Sequence, residues 1–286
     1  MSALALGTVQ FGLGYGVAGR DRPVDEAEVS RILAFAHEAG IRRLDTAPVY
    51  GDIEARLGRL CGDHRFEIVS KIPPIPTDAD DDEVGPFVRG SIAQSQRVLG
   101  DALVGVIFHN EADTAGQRGA VAWAAAVDAT VAVGLACGVS RYAPAGPQEG
   151  QPVAGEMLQC PGNALDQRLP NCPAADAVPE ISLRSAFLQG LLLMPLAEAK
   201  VRVPAAAAAL DNWATWCAER ATSPLVSALS VVKGFDAVSY CLVGVDDLGQ
   251  LESIVEAWHD ATPTTAPELA CDDPRVIDPR QWTVRS

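Results

Sequence analysis

Short apolar runs alternate along the chain with longer segments whose apolar residues recur at helical spacing. The runs read as strands are ALALGTVQF (3–11), IRRLDT (41–46), FEIVSK (66–71), VGVIFH (104–109), ACGVS (136–140), EMLQC (156–160), EISLRSAF (180–187) and VSYCLVGV (238–245). Between the first two, VDEAEVSRILAFAHEAG sets Val29, Ile32, Leu33 and Ala36 on one face, opens with acids and stops at Gly40, which predicts a helix with ordinary start and stop signals. Similar patterns predict helices over 52–61, 83–99, 118–133, 205–221, 224–233 and 247–259. The stretch 141–155 is too rich in Pro and Gly for a regular helix, so one crossover is expected to be degraded. Strand and helix alternating eight times fit a single-domain α/β fold, a (β/α)8 TIM barrel, better than an open doubly wound sheet. One unit over 1–286 is expected, with 261–286 as an irregular tail laid over the barrel.

Length agrees with this reading, because α/β barrels run to about 250 residues as one domain and the chain has 286. The net charge of -15 argues against nucleic acid or an anionic membrane as partner, since both would repel it. A small-molecule ligand fits better. No basic and apolar leader and no long apolar span is visible, and the seven cysteines lack a CxxC pair or metal-ligand spacing. They read as reduced thiols of a cytoplasmic protein, and no metal is expected.

GYGVAG (14–19) matches the G-x-G-x-x-G dinucleotide fingerprint but fails on context. The helix should open within the glycines, whereas here it starts near Asp25, and the next strand-end acid, Asp45, lies too far on. In a (β/α)8 barrel the chemistry gathers at the C-terminal strand ends. There stand Asp45, Lys71 and His109, with Tyr50 in the loop after Asp45. A phenol is a poor acid at neutral pH unless a neighbouring ammonium lowers its pKa, so Lys71 is read as tuner, Tyr50 as general acid, Asp45 as the partner that holds Lys71, and His109 as the group that orients a substrate oxygen. Lysine is the telling member: the chain has three, Lys71, Lys200 and Lys233, against nineteen arginines. Lys200 is assigned to a loop and Lys233 to a helix end, both solvated. Taken singly, Asp45 could cap a turn and Tyr50 could be a rim aromatic.

LGTVQFG, DTAPVYG, VSK, FH, GVS, QCPGN, RSAFLQGLL and VGVDDLGQLE, in this order and spacing, resemble the aldo-keto reductase family over nearly the whole chain. The resemblance implies reduction of an aldehyde or ketone by NAD(P)H with Asp45, Tyr50, Lys71 and His109 as catalytic residues. It also implies Gly7 and Thr8 near the reactive end of the cofactor, Ser140 and Gln159 on the nicotinamide carboxamide, Ser185 and Phe187 along the pyrophosphate, Arg184 beside them, and Gly244, Asp246 and Gln250 at the adenosine end. Arg141 stands where relatives usually have Asn. Asp246 and Asp247 stand where NADP-preferring relatives place small hydroxyl or basic residues, which suggests that NAD competes with, or exceeds, the NADP that is the family default. A regulatory barrel that binds the cofactor with little turnover, and an NAD-dependent aldose dehydrogenase, are the rival readings. The few aromatics suggest a polar, sugar-like carbonyl substrate, with Phe11, Tyr15 and 72–76 in the mouth loops.

Overall fold

A computed structural model describes residues 2–16, 21–61, 65–142, 155–172 and 178–282. Most of the Pro- and Gly-rich 141–155 crossover, the end of GYGVAG and His64 lie outside the described residues. Eight parallel strands close into a barrel in sequence order: β1 (Ala3–Gly7), β2 (Arg43–Asp45), β3 (Glu67–Ile72), β4 (Leu103–Phe108), β5 (Ala136–Ser140), β6 (Met157–Pro161), β7 (Glu180–Arg184) and β8 (Tyr240–Gly244). β8 returns to pair with β1, so the sheet has no edge.

The helices are α1 (Val9–Gly12), α2 (Glu26–Glu38), α3 (Ile53–Leu60), α4 (Asp81–Leu99), α5 (Gly116–Val131), α6 (Leu196–Arg202), α7 (Ala207–Glu219), α8 (Pro224–Lys233), α9 (Leu248–Asp260) and α10 (Pro274–Ile277). Local chemistry sets several starts. Asp25 caps α2 by accepting from the Glu28 N–H, Asp80 and Glu83 form a reciprocal capping box on α4, and Ser223 with Pro224 opens α8. The helix stripes pack on the outer faces of the strands in one continuous apolar core. None of the described helices is long and apolar enough to cross a membrane.

Three sequence expectations need correction. The seventh strand was expected to run to residue 187 but ends at Arg184, because Ser185, Leu188 and Gln189 adopt positive φ and turn the chain sharply before Gly190. Lys200 is not in a loop: it lies on α6, which follows Pro195, and its ammonium pairs with Asp211 of α7 at 2.8 Å. Lys233 is not simply solvated either, since it donates to the Trp258 and Ala261 carbonyls and lies 4.6 Å from the Trp258 ring centre.

Strand period two stacks the barrel interior in layers. At the floor, the first residues of β2, β3, β7 and β8 meet: Arg43 reaches Glu180 at 2.7 Å and Glu67 at 3.1 Å, with its guanidinium 4.4 Å from the Tyr240 ring centre. Above it Val69, Ile107 and Met157 form an apolar plug separate from the outer core. Two residues further along the same strand faces come Asp45, Lys71, His109 and Gln159. The alternation that buries an apolar layer thus also delivers a polar layer at the mouth.

The floor cluster makes Arg43 a stability residue. Arg43→Met strands Glu180, and is expected to cost about 2–4 kcal/mol. A lowered urea midpoint, partly restored by adding Glu180→Gln, is the expected result.

Candidate active site

Asp45 ends β2 with its side chain turned into the mouth, and its backbone carbonyl accepts from the Thr8 hydroxyl at 2.9 Å. Lys71, 2% exposed, donates from Nζ to Asp45 Oδ1 at 2.5 Å and to the Thr46 carbonyl at 2.9 Å. The other Asp45 oxygen accepts from Gln159 Nε2 at 2.7 Å, and Gln159 Oε1 lies 3.3 Å from the Ser140 hydroxyl that donates to it. One carboxylate therefore ties together strands β2, β3 and β6, with β5 joined through Ser140.

Tyr50 sits on the short turn after Asp45, with the Lys71 ammonium 5.2 Å from its ring centre. His109 follows β4 and meets the Tyr50 ring edge to face, centroids 5.9 Å apart at 87°. Its Nδ1 is buried and has no hydrogen-bond partner among the described residues. Sequence-distant Asp45, Tyr50, Lys71 and His109 are thus brought together on one wall of a single cavity.

Burial decides the proton affinities here. It raises the Tyr50 pKa, and this outweighs the Lys71 charge that pulls it down; Asp45 adds a smaller upward push. The sequence-based expectation that Lys71 would bring the phenol below its ordinary value is therefore corrected: in the described protein the net direction is up. Lys71 itself is penalised by burial, yet Asp45 and Tyr50 together hold its pKa above the ordinary value, so it stays charged. His109 is lowered to about 4, first by burial and then by the Lys71 charge, so its imidazole is neutral at neutral pH.

The cavity, about 1150 Å³, runs from this tetrad across β6, β7 and β8 to the start of α9. Gly7, Thr8, Ser140, Gln159, Arg184, Ser185, Phe187, Gly244, Asp246 and Gln250 all line it. Its volume exceeds that of a site for one drug-sized molecule, roughly 300–1,000 Å³, and suits an extended cofactor plus a small substrate. Asn163 donates to the Ser185 carbonyl at 3.2 Å, bracing the left-handed turn that follows β7. Ser140 donates to Gln159 and Gln159 to Asp45, but the Gln159 amide retains one further donor and acceptor for a ligand.

At the far end, two of the first backbone donors of α9 are already taken by side chains. Leu248 N–H donates to Glu28 Oε1 at 2.8 Å, Gln250 N–H to the Asp247 carboxylate at 2.9 Å, and Gln250 Oε1 accepts from Asp246 N–H at 2.9 Å. Phe11, expected in a mouth loop, is fully buried in the core, whereas Tyr15 does line the cavity. Sequence reasoning missed Gln10, Tyr142, Asp278 and Arg280, which also line it; the last two come from the C-terminal segment, which was expected to lie over the barrel but not to contribute to the cavity. Among the described residues no group of His, Cys, Asp or Glu could hold a metal ion. All seven cysteines are free and all but Cys271 are buried.

The family model of the "Aldo/keto reductase family" matches residues 3–98. No curated protein sequence matches the chain. Among solved structures, the aldo-keto reductase from Bacillus halodurans in its holo form superposes with a TM-score of 0.69 at 18% identity, covering 97% of this chain and 94% of that one. A Pseudomonas aeruginosa chain assigned to the aldo-keto reductases superposes with a TM-score of 0.63 at 24% identity, covering 90% and 89%. These structures share the fold. The sequence match runs over β1 to α4, where Asp45, Tyr50 and Lys71 lie, and makes that part of the chain similar to the aldo-keto reductase family.

Proposed function

We propose that the protein reduces the carbonyl group of a small aldehyde or ketone, or runs the reverse oxidation, with Tyr50 as general acid. The observation that carries this reading is the buried Asp45–Lys71 pair beside a protonated phenol and a neutral imidazole at the mouth of one cavity. Tyr50 starts with its proton in place, because burial keeps its pKa above the ordinary value. When that proton passes to the carbonyl oxygen, the phenolate left behind is stabilised by the Lys71 ammonium, which Asp45 and the Thr46 carbonyl hold still. His109, being neutral, can hydrogen-bond the carbonyl oxygen without competing for the proton. A bound reduced nicotinamide supplies the hydride to the carbonyl carbon.

Gly7 and Thr8, Ser140 and Gln159, Ser185 and Phe187, and then Gly244, Asp246 and Gln250 form a continuous path along which that cofactor would lie, and the Arg184 guanidinium turns from it towards Arg141 and Tyr142. The acidic start of α9 supports NADH over NADPH. A helix N-terminus ordinarily attracts phosphate, but here Glu28 and Asp247 occupy the Leu248 and Gln250 N–H groups and Asp246 adds a third carboxylate. Carboxylates repel a 2'-phosphate and accept hydrogen bonds from a ribose diol. This leaves an NAD-dependent oxidation open as the working direction.

Titration of the purified protein with both cofactors should give NADH binding equal to or tighter than NADPH; NADPH binding tighter by about tenfold, some 1.4 kcal/mol, would remove the argument from α9. Tyr50→Phe should lose carbonyl turnover by a factor of at least about a hundred, the lower range for general acid catalysis, while the NADH dissociation constant stays near that of the unaltered protein.

His109 also makes a pH prediction. Its folded pKa of about 4 lies below the ordinary 6.5, so between these values the unfolded chain takes up a proton that the folded one refuses. Stability is therefore at its full value above about 6.5 and declines as the pH falls towards about 4. Urea midpoints measured across that window should fall less steeply in His109→Gln.

A further inference from the structure

At the end of the cavity opposite α9, two guanidinium groups share one aromatic ring. Arg184, the last residue of β7, lies 5.0 Å from the centre of the Tyr142 ring, and Arg280, from the segment after α10, lies 3.4 Å from it. All three residues line the cavity. Tyr142 is fixed at both backbone atoms: its carbonyl accepts from Arg168 at 3.1 Å and its N–H donates to Glu111 at 3.4 Å. Arg168 is in turn held by the fully buried Asp166 at 2.7 Å.

The two cations are not equivalent. Arg280 is neutralised by a fork to Asp278, with contacts of 2.6 and 2.9 Å. Arg184 has no carboxylate within ion-pair distance among the described residues, and it donates to the Arg141 carbonyl at 3.1 Å. A partly buried guanidinium that shares an aromatic ring with a second cation and lacks an acid carries an electrostatic cost that a ligand's negative charge would offset.

The direction in which Arg184 points separates two possible ligands. Its guanidinium crosses β6 towards Arg141 and Tyr142 on the β5 side, away from β8 and α9, and its charge is felt at His109. It therefore faces the place where the carbonyl oxygen is held. We propose that the substrate is an anionic carbonyl compound, bearing a carboxylate or phosphate, whose charge is received by Arg184, with Tyr142 and Arg280 forming the wall behind it.

This rests on the carbonyl-reducing reading above, and the test separates the two. Turnover is compared for butanal against 4-oxobutanoate, and for glyceraldehyde against glyceraldehyde 3-phosphate, the two pairs distinguishing carboxylate from phosphate. The unaltered enzyme is expected to favour the anionic member of at least one pair by about tenfold in kcat/KM, expressed in KM, which corresponds to about 1.4 kcal/mol. Arg184→Gln should abolish that preference, Arg280→Gln should weaken it, and Arg184→Lys should keep part of it. A preference that survives Arg184→Gln, or none in the unaltered enzyme, overturns the proposal. So does a loss of NADH affinity in Arg184→Gln that matches the loss of anion preference, because Arg184 would then serve the cofactor. Calorimetric titration of the NADH-loaded protein with succinate and with inorganic phosphate reads the anion site without turnover. Binding that Arg184→Gln removes and Tyr50→Phe retains, in a protein that turns over none of these carbonyls, upholds the anion site and overturns only the carbonyl-reducing reading; no binding of either anion overturns the site.

Discussion

The mouth of the barrel is organised by one ion pair taken out of water. Lys71 and Asp45 sit 2.5 Å apart, and a pair this buried must satisfy its remaining hydrogen-bonding capacity or destabilise the fold. It does so through the Thr46 carbonyl on one side and the Gln159 amide on the other. That requirement fixes where β2, β3 and β6 end relative to one another, sets the turn that carries Tyr50, and supplies the charge that helps keep His109 neutral. The chemistry proposed for the site is a consequence of how the charges are kept from costing stability.

Viewed along its length, the cavity is electrically polar in spite of the strongly acidic chain. Asp246 and Asp247 make one end negative, whereas the Arg184 guanidinium makes the other positive. A ligand pair with a neutral diol at one end and an anion at the other would be oriented before any short-range contact forms.

The layered barrel was readable because a parallel strand buried on both faces must be apolar, and its polar exceptions then stand out. Asp45, Lys71 and His109 are such exceptions, and the two-residue period relates them to Arg43, Val69 and Ile107 beneath. Other features depend on packing that no local pattern encodes. The upward shift of Tyr50 follows from burial, which the nearby lysine in the sequence does not reveal. Helix α6 is only seven residues long and follows a proline, so its period is too brief to register. Arg280 meets Tyr142 only because the C-terminal segment folds back across the mouth. Phe11 looks like a loop aromatic until the chain is seen to turn it into the core.

One close approach has a further consequence. Gly12 lies against the backbone of Tyr50, so tightly that a Cβ there would fall on the Tyr50 carbonyl, and Gly51 in turn lies against Gly12 with φ at +74°. The segment after β1 that carries Tyr15 to the cavity and the turn that carries Tyr50 are therefore in direct backbone contact. The outer cavity wall and the phenol are joined through two residues that have no side chain at all, and a methyl group at Gly12 would push them apart.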